Sequence, residues 1–288
     1  MNFTKIQGTG NDFILVEASG AEYDWSPVAI AMCDRHFGIG SDGLLLLLPS
    51  AIADFQMRIF NPDGSEAKTC GNGLRCLARY VLERGLISAG TYQVLVETVS
   101  GVRKVELHNV AGEVTKIQVS MGEPKFGAKD IPVVIEPGKG NIFLPIKMIN
   151  YPVTIDDKEL LLNFVSMGNP HTVYFSPHPV SEFPLFQLGP EVEQLAIFPD
   201  GINFEVARVV NRQQIEARVW EKGVGETLAC GSGACAIAVA AQCHGYIDNK
   251  VDIKLPGGIL DVEWDGIGEV LLSGPAEVVF TGEWPDKE

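Results

Sequence analysis

Residues 69–76 read TCGNGLRC, and residues 229–236 read ACGSGACA. In each stretch a cysteine precedes a glycine-rich turn, and an apolar run follows. The two cysteines lie 160 residues apart (230 − 70). Arg58-Ile59-Phe60 matches Arg218-Val219-Trp220 at the same shift of 160, as Gly85-Leu86-Ile87 matches Gly245-Tyr246-Ile247. Gly10-Asn11 matches Gly168-Asn169 at a shift of 158. Each match alone is weak. Four in the same order, at nearly one offset, point to an internal duplication.

The two copies share a coarse layout. Alternating apolar segments come first, at 13–17 and 55–60 in one copy and at 172–175 and 215–220 in the other. The cysteine turn follows, and then an apolar helix predicted over 74–84 or 234–244. Each helix stops at a glycine, Gly85 or Gly245, where left-handed backbone is favoured. Further strands are expected at 93–98 and 104–107, and at 252–255 and 260–264. The run 44–48 reads as a buried strand. The helices, with stretches such as AIAVAAQ, look apolar nearly all round and should be buried. The expected fold class is therefore α/β (α+β), with two pseudo-symmetric domains, each a curved mixed sheet around one central helix. The segment 131–149, with Pro132, Pro137, Gly138 and Gly140, reads as the join between copies or an elaboration near it.

Composition narrows the function classes. The 288 residues carry a formal charge of −15, from 37 acidic and 22 basic side chains. Nucleic acid is not an expected partner, because phosphate binding needs lysine and arginine in excess. No apolar run approaches membrane-spanning length, and the start MNFTKIQGTGNDF lacks a secretory pattern. A cytoplasmic location with no membrane partner is expected. The six cysteines should then be thiols and not a disulfide framework.

Metal binding fits the cysteines poorly. Five residues separate Cys70 from Cys76 and four separate Cys230 from Cys235, unlike a C-x-x-C ligand pair. Cys76 and Cys235 fall inside the predicted helices and read as core. Cys70 and Cys230 sit at helix starts, where unpaired N–H groups and the helix dipole favour a thiolate. The glycines after them let backbone N–H groups converge on a carboxylate. Two such stations suit one reaction: a base removes a proton α to a carboxylate and an acid returns one on the opposite face. Two bland readings stand beside it, unrelated core cysteines and a non-catalytic amino-acid-binding protein.

Longer motifs carry a resemblance. GTGNDF at 8–13, GIGSDG at 38–43, FNPDGSEAKTCGNGLRC at 60–76, VSMGNPHTV at 165–173, FPDGINF at 198–204 and GVGETLACGSGACA at 223–236 resemble the diaminopimelate epimerase family over nearly the whole chain. The resemblance implies two domains, 1–120 with 276–288 and 121–275, with the active site in the cleft between them. It implies Cys70 and Cys230 as the catalytic acid–base pair, supported by His171 and Glu221. It implies that Gly71 and Asn72, with Gly231 and Ser232, hold the carboxylate at the reacting centre. Asn11, Asn61, Asn169 and Asn203, with Glu221 and Lys222, are implied around the rest of a small-molecule substrate, diaminopimelate. No cofactor, neither pyridoxal phosphate nor metal, is implied, and the family suggests a homodimer. Taken singly, the residues have plainer readings: Asn61 and Asn203 as turn residues, His171 as structural, Glu221 as a solvated charge, Asn11 as a turn cap.

One departure stands out. The family usually carries arginine after this glutamate, to meet the distal carboxylate, where this chain has Lys222. Lysine is a point charge without the planar two-pronged contact. It leaves open an epimerase or racemase of another amino acid on the same scaffold. Gly43, where some members carry glutamine, reads as ordinary variation.

Overall fold

The computed structural model describes residues 1–18, 24–67, 70–88, 90–110, 113–127, 129–134, 141–143, 147–155 and 158–285. They form two compact units, 1–120 with 273–288, and 121–272.

The first unit opens with an antiparallel hairpin of β1 (Asn2–Gly8) and β2 (Asn11–Glu17). Its turn residues Thr9 and Gly10 have φ of 59° and 80°. Such a turn matches the twist of a hairpin, although a β-branched residue is strained in it. The chain crosses through α1 (Trp25–Cys33) to β3 (Gly43–Leu48), parallel to β2, and returns in β4 (Phe55–Phe60). Short β5 (Glu66–Ala67) folds onto β4. Helix α2 (Gly71–Glu83) then crosses to β6 (Gln93–Thr98), parallel to β4. β7 (Gly101–Val110) and β8 (Glu113–Ser120) follow antiparallel. The leucine run of β3 is buried because both faces are covered. Leu44 and Leu46 join Trp25, Ala29 and Met32 of α1 in one core, while Leu45 faces Gly73 of α2.

The second unit repeats this order. It begins with a small pair, β9 (Asn141–Phe143) and β10 (Lys147–Ile149). An antiparallel meander follows: β11 (Tyr151–Ile155), β12 (Lys158–Ser166) and β13 (Pro170–Phe175). Helix α3 (Leu185–Glu193) crosses to β14 (Asn203–Asn211), parallel to β13, and β15 (Gln214–Glu221) returns. Short β16 (Gly225–Thr227) folds onto β15. Helix α4 (Gly231–Cys243) crosses to β17 (Lys250–Leu255), parallel to β15, and β18 (Gly258–Glu263) follows. The chain continues through β19 (Leu271–Gly274) to β20 (Glu277–Glu283), which pairs antiparallel with β1. The order β1 to β8 is thus repeated in β12 to β19, and the second unit adds the β9–β10 pair. Part of the segment read as a join, 135–140 and 144–146, lies outside the described residues.

The helices differ from expectation in two ways. They start three residues early, because the glycines read as a preceding turn are the first helical turn itself. Cys70 and Cys230 are the caps: each Sγ accepts the N–H of the glycine three residues on, 3.4 Å away. A capped first turn tolerates glycine that propensity alone would exclude. The burial pattern also differs. Helix α4 is apolar all round, but α2 is amphipathic, with an Arg79–Glu83 ion pair facing outward. At the other end both helices close alike. Gly85 and Gly245 have φ of 67° and 72°. Their N–H groups bond Leu82 and Gln242 carbonyls, and the next residues reach back to Val81 and Ala241, a Schellman closure. No helix among the described residues is long and apolar enough to cross a membrane.

Candidate active site

In the first unit Cys70 is half-buried at the start of α2. The N–H groups of Gly71 and Asn72 belong to the first turn and have no intrahelical acceptor, so they are free to meet an anion. Asn72 is buried, and its Nδ2 donates to Asn11 Oδ1 at 3.0 Å. Asn11 Nδ2 donates to Asp42 Oδ2 at 2.8 Å, and Arg35 bonds both Asp42 and Asp12 at 2.7 Å. The structure thus joins Asn11, Asn72, Asp42 and Arg35 into one network, and Asn72 follows the Cys70 cap in the first turn of α2. Arg75 supports it from inside: fully buried in α2, it donates to Thr9 Oγ1 at 3.1 Å and so holds the strained turn before Asn11.

In the second unit Cys230 is buried at the start of α4, with Ser232 Oγ 3.5 Å from its Sγ. Its neighbours are acidic. Glu221 stands close enough to act on the thiol through its charge, and its Oε1 accepts from Thr227 Oγ1 at 2.7 Å. Beneath the first turn lies Glu205, its Oε1 2.9 Å from where a Cβ on Gly233 would stand. Glu205 Oε1 is 2.6 Å from His171 Nδ1, and His171 Nε2 is 3.0 Å from Asn169 Oδ1. These residues meet because β13 and β14 pair in parallel register, His171 with Asn203, which puts Asn203 and Glu205 on the same face as His171.

Electrostatics follow from this packing. Burial pushes the Cys230 thiol well above its ordinary range, and the neighbouring carboxyl groups of Glu221 and Glu205 push the same way. The Ser232 hydroxyl and the Gly233 N–H pull the other way but do not win. The easier ionisation expected at a helix start is therefore reversed at Cys230, because desolvation and two carboxyl groups outweigh the helix end. Burial likewise raises Glu221 and Glu205, partly offset by Thr227 at the first and by His171 at the second.

Of the remaining expected residues, the two asparagines are tied up locally. Asn61 Nδ2 donates to Ser65 Oγ at 2.9 Å inside its own Asn-Pro-Asp-Gly turn. Asn203 is buried, donates to the Pro170 carbonyl at 2.8 Å and accepts the Lys222 N–H at 3.0 Å. Lys222 is exposed, its methylene groups lie over Gly201, and it forms no ion pair among the described residues. All six cysteines are free thiols.

The sequence reading did not single out Glu205, Asp42 or Arg75. It also passed over a matched pair of forks. Arg58 grips both oxygens of Glu66 at 2.7 and 3.0 Å, and Arg218 grips Glu226 at 2.7 and 2.8 Å. The shift of 160 from Glu66 to Glu226 was a legible signal.

Comparison with known proteins fixes the class first. A solved PhzF-family phenazine biosynthesis protein of Bacillus anthracis aligns with a TM-score of 0.71 at 17% identity, covering 99% of each chain. A probable proline racemase of Agrobacterium radiobacter aligns at 0.72 and 13%, covering 99% of this chain and 92% of that one. The fold is thus that of the duplicated PhzF and proline-racemase type. The diaminopimelate epimerase family model matches residues 3–127 and 163–279. Diaminopimelate epimerases of Pelotomaculum thermopropionicum (44% identical, 99% of each chain) and Caldanaerobacter subterraneus subsp. tengcongensis (45%, 98% of this chain and 99% of that one) match over their length. The chain belongs to the diaminopimelate epimerase family.

Proposed function

We propose that the chain is an isomerase that converts LL-2,6-diaminopimelate to meso-diaminopimelate, a step of lysine and cell-wall precursor biosynthesis, with Cys70 and Cys230 as its acid–base pair. The observation that carries the reading is the thiol cap, repeated on two matched helices in a chain with full-length epimerase relatives. One Sγ, as thiolate, takes the proton from the α-carbon. The bonding electrons pass into the adjoining carboxylate, which the first-turn N–H groups of α2 and α4 stabilise. The other thiol gives its proton to the opposite face, and the two sulfurs end with their protonation states exchanged. Burial and its acidic neighbours favour a protonated Cys230, which suits the donor role when Cys70 abstracts. Nothing in these steps calls for pyridoxal phosphate or a metal, so the reading assigns no cofactor. A cytoplasmic homodimer completes it, and sedimentation of the pure protein tests the dimer.

The decisive experiment incubates the protein with LL-diaminopimelate in heavy water and follows deuterium into the α-position. Absence of exchange, or full activity in Cys70→Ala, would defeat the reading. A second reading rests on Lys222, an exposed point charge where the family usually carries arginine: the substrate is another amino acid. A clear preference for a substrate without a distal carboxylate would favour it.

A further inference from the structure

The second unit contains a buried acid that the steps above do not use. Glu205 has no exposed surface, and its Oε2 has no hydrogen-bond partner among the described residues. Its Oε1 faces His171 Nδ1 at 2.6 Å. His171, equally buried, turns its other nitrogen to a second oxygen, Asn169 Oδ1, 3.0 Å away.

A neutral imidazole carries one N–H and one lone pair. Between a carboxylate and an amide oxygen, it would set a lone pair against an acceptor at one end. The row is satisfied when the pair holds one more proton. Either an imidazolium lies beside a carboxylate, or a carboxylic acid donates to Nδ1 of an imidazole protonated on Nε2. In both arrangements the pair has no net charge, as its burial requires. In both, Nε2 carries hydrogen. The bare Oε2 favours the carboxylic acid, since an unpartnered oxygen costs less on a neutral group. Glu221 at the end of β15 also faces His171, and it is not a cation that would oppose the proton.

Asn169 reads out this arrangement. It is exposed, its Oδ1 is taken by His171, and its Nδ2 makes no hydrogen bond among the described residues. Its match in the first unit, Asn11, has both ends engaged, by Asn72 and Asp42. We propose that Glu205 is a positioning residue that keeps a hydrogen on Nε2 of His171, so that Asn169 turns its amide N–H groups, and not its oxygen, toward an oxygen atom of the substrate. The inference rests on the proposed reaction and on the place beside the substrate that the family resemblance implies for Asn169.

Two variants of the full chain test it. Glu205→Leu installs the residue that stands at the matching place in the first unit, Leu45. Glu205→Gln keeps a donor for Nδ1 and acts as the conservative rescue. Nitrogen NMR of the histidine-labelled protein reads the ring, with the His171 signals assigned by their loss in His171→Asn. In the wild type, Nε2 is expected to carry hydrogen, as its place between Glu205 and Asn169 Oδ1 requires. Glu205→Leu should abolish that pattern and raise KM by roughly 10-fold or more, with a smaller fall in kcat. Glu205→Gln should keep the pattern and stay within a few-fold of wild type. Three outcomes would overturn the proposal: a wild-type His171 protonated on Nδ1 alone, an unchanged KM in Glu205→Leu, or a Glu205→Gln enzyme as impaired as Glu205→Leu. The wild-type spectrum decides the matter even if Glu205→Leu does not fold. Absence of α-carbon exchange by the wild type would instead remove the proposed reaction, while the ring measurement would still judge the tautomer.

Discussion

The two units place the same helix behind the same thiol cap and surround it with different chemistry. Near Cys70 the matched positions hold Phe13, Leu45 and Asn61; near Cys230 they hold His171, Glu205 and Glu221, at shifts of 158, 160 and 160. No member of the first trio has an acidic or basic side chain, and every member of the second does. Cys70 is half-buried and Cys230 is buried. A duplicated motif therefore preserved backbone, cap and helix closure while the side chains under the cap diverged. Two thiols with the same cap are not chemically equivalent, because the difference lies on the strands that surround the cap.

The comparison can be broken most severely at the sulfurs. Cys70→Ala and Cys230→Ala should each lower kcat/KM by about 100- to 10,000-fold, the usual worth of a proton-transfer group. A residue that survives its own removal with full activity would reduce that half-site to a scaffold. Thiol alkylation followed by mass spectrometry sharpens the next difference. Cys230 should label more slowly than Cys70, and its rate should keep rising into alkaline solution, since its thiolate forms only above the ordinary thiol range. Glu221→Gln removes a negative neighbour, so the pH at which Cys230 labels should move down. An unchanged profile would mean that Glu221 does not set the thiol.

Smaller effects concern packing. A Cβ at residue 233 would stand 2.9 Å from the Glu205 carboxyl oxygen, and one at residue 73 would stand 3.1 Å from a methyl of Leu45. A leucine methyl can swing aside more easily than an acid locked to a histidine. Gly233→Ala should therefore cost about 1–3 kcal/mol and Gly73→Ala less, measured by urea unfolding. The forks should show the slightest difference. Arg58→Ala loses an exposed ion pair, worth below about 1 kcal/mol. Arg218→Ala also strips donors from the Val180 and Phe183 carbonyls, 3.0 and 2.9 Å away, and should cost roughly 1 kcal/mol more in the same titration.

Much of the fold was legible because duplication writes the same local signals twice. The cysteine-glycine turns, the closing glycines and the arginine-led strands located both helices and their neighbours. The helix starts were misjudged because a thiol is an unusual cap and glycine a poor helix former. The amphipathic face of α2 was missed because the all-apolar α4 was taken as typical of both. The proposed site was legible where it depends on short motifs, as at Cys70-Gly71-Asn72. Glu205 was not, because an acid two residues beyond Asn203 in NFEVARVV reads as an outward-facing charge. Its burial depends on strand pairing with β13, which a linear pattern does not display. Asp42 and Arg75 were hidden for the same reason: their partners, Asn11 and Thr9, lie far off in sequence.

The matched helices have a consequence for how such a chain tolerates insertions. Each spans 13 residues from thiol cap to closing glycine turn, about 20 Å of rigid rod. One residue added inside either would swing its cap by about 100° around the axis and displace it by about 1.5 Å. Loops between strands can lengthen without that penalty. Length variation among relatives should accordingly gather in the connections and leave the two rods uncounted, so that the spacing from each cysteine to its glycine, 15 residues in both copies (85 − 70 and 245 − 230), acts as a gauge of the pair.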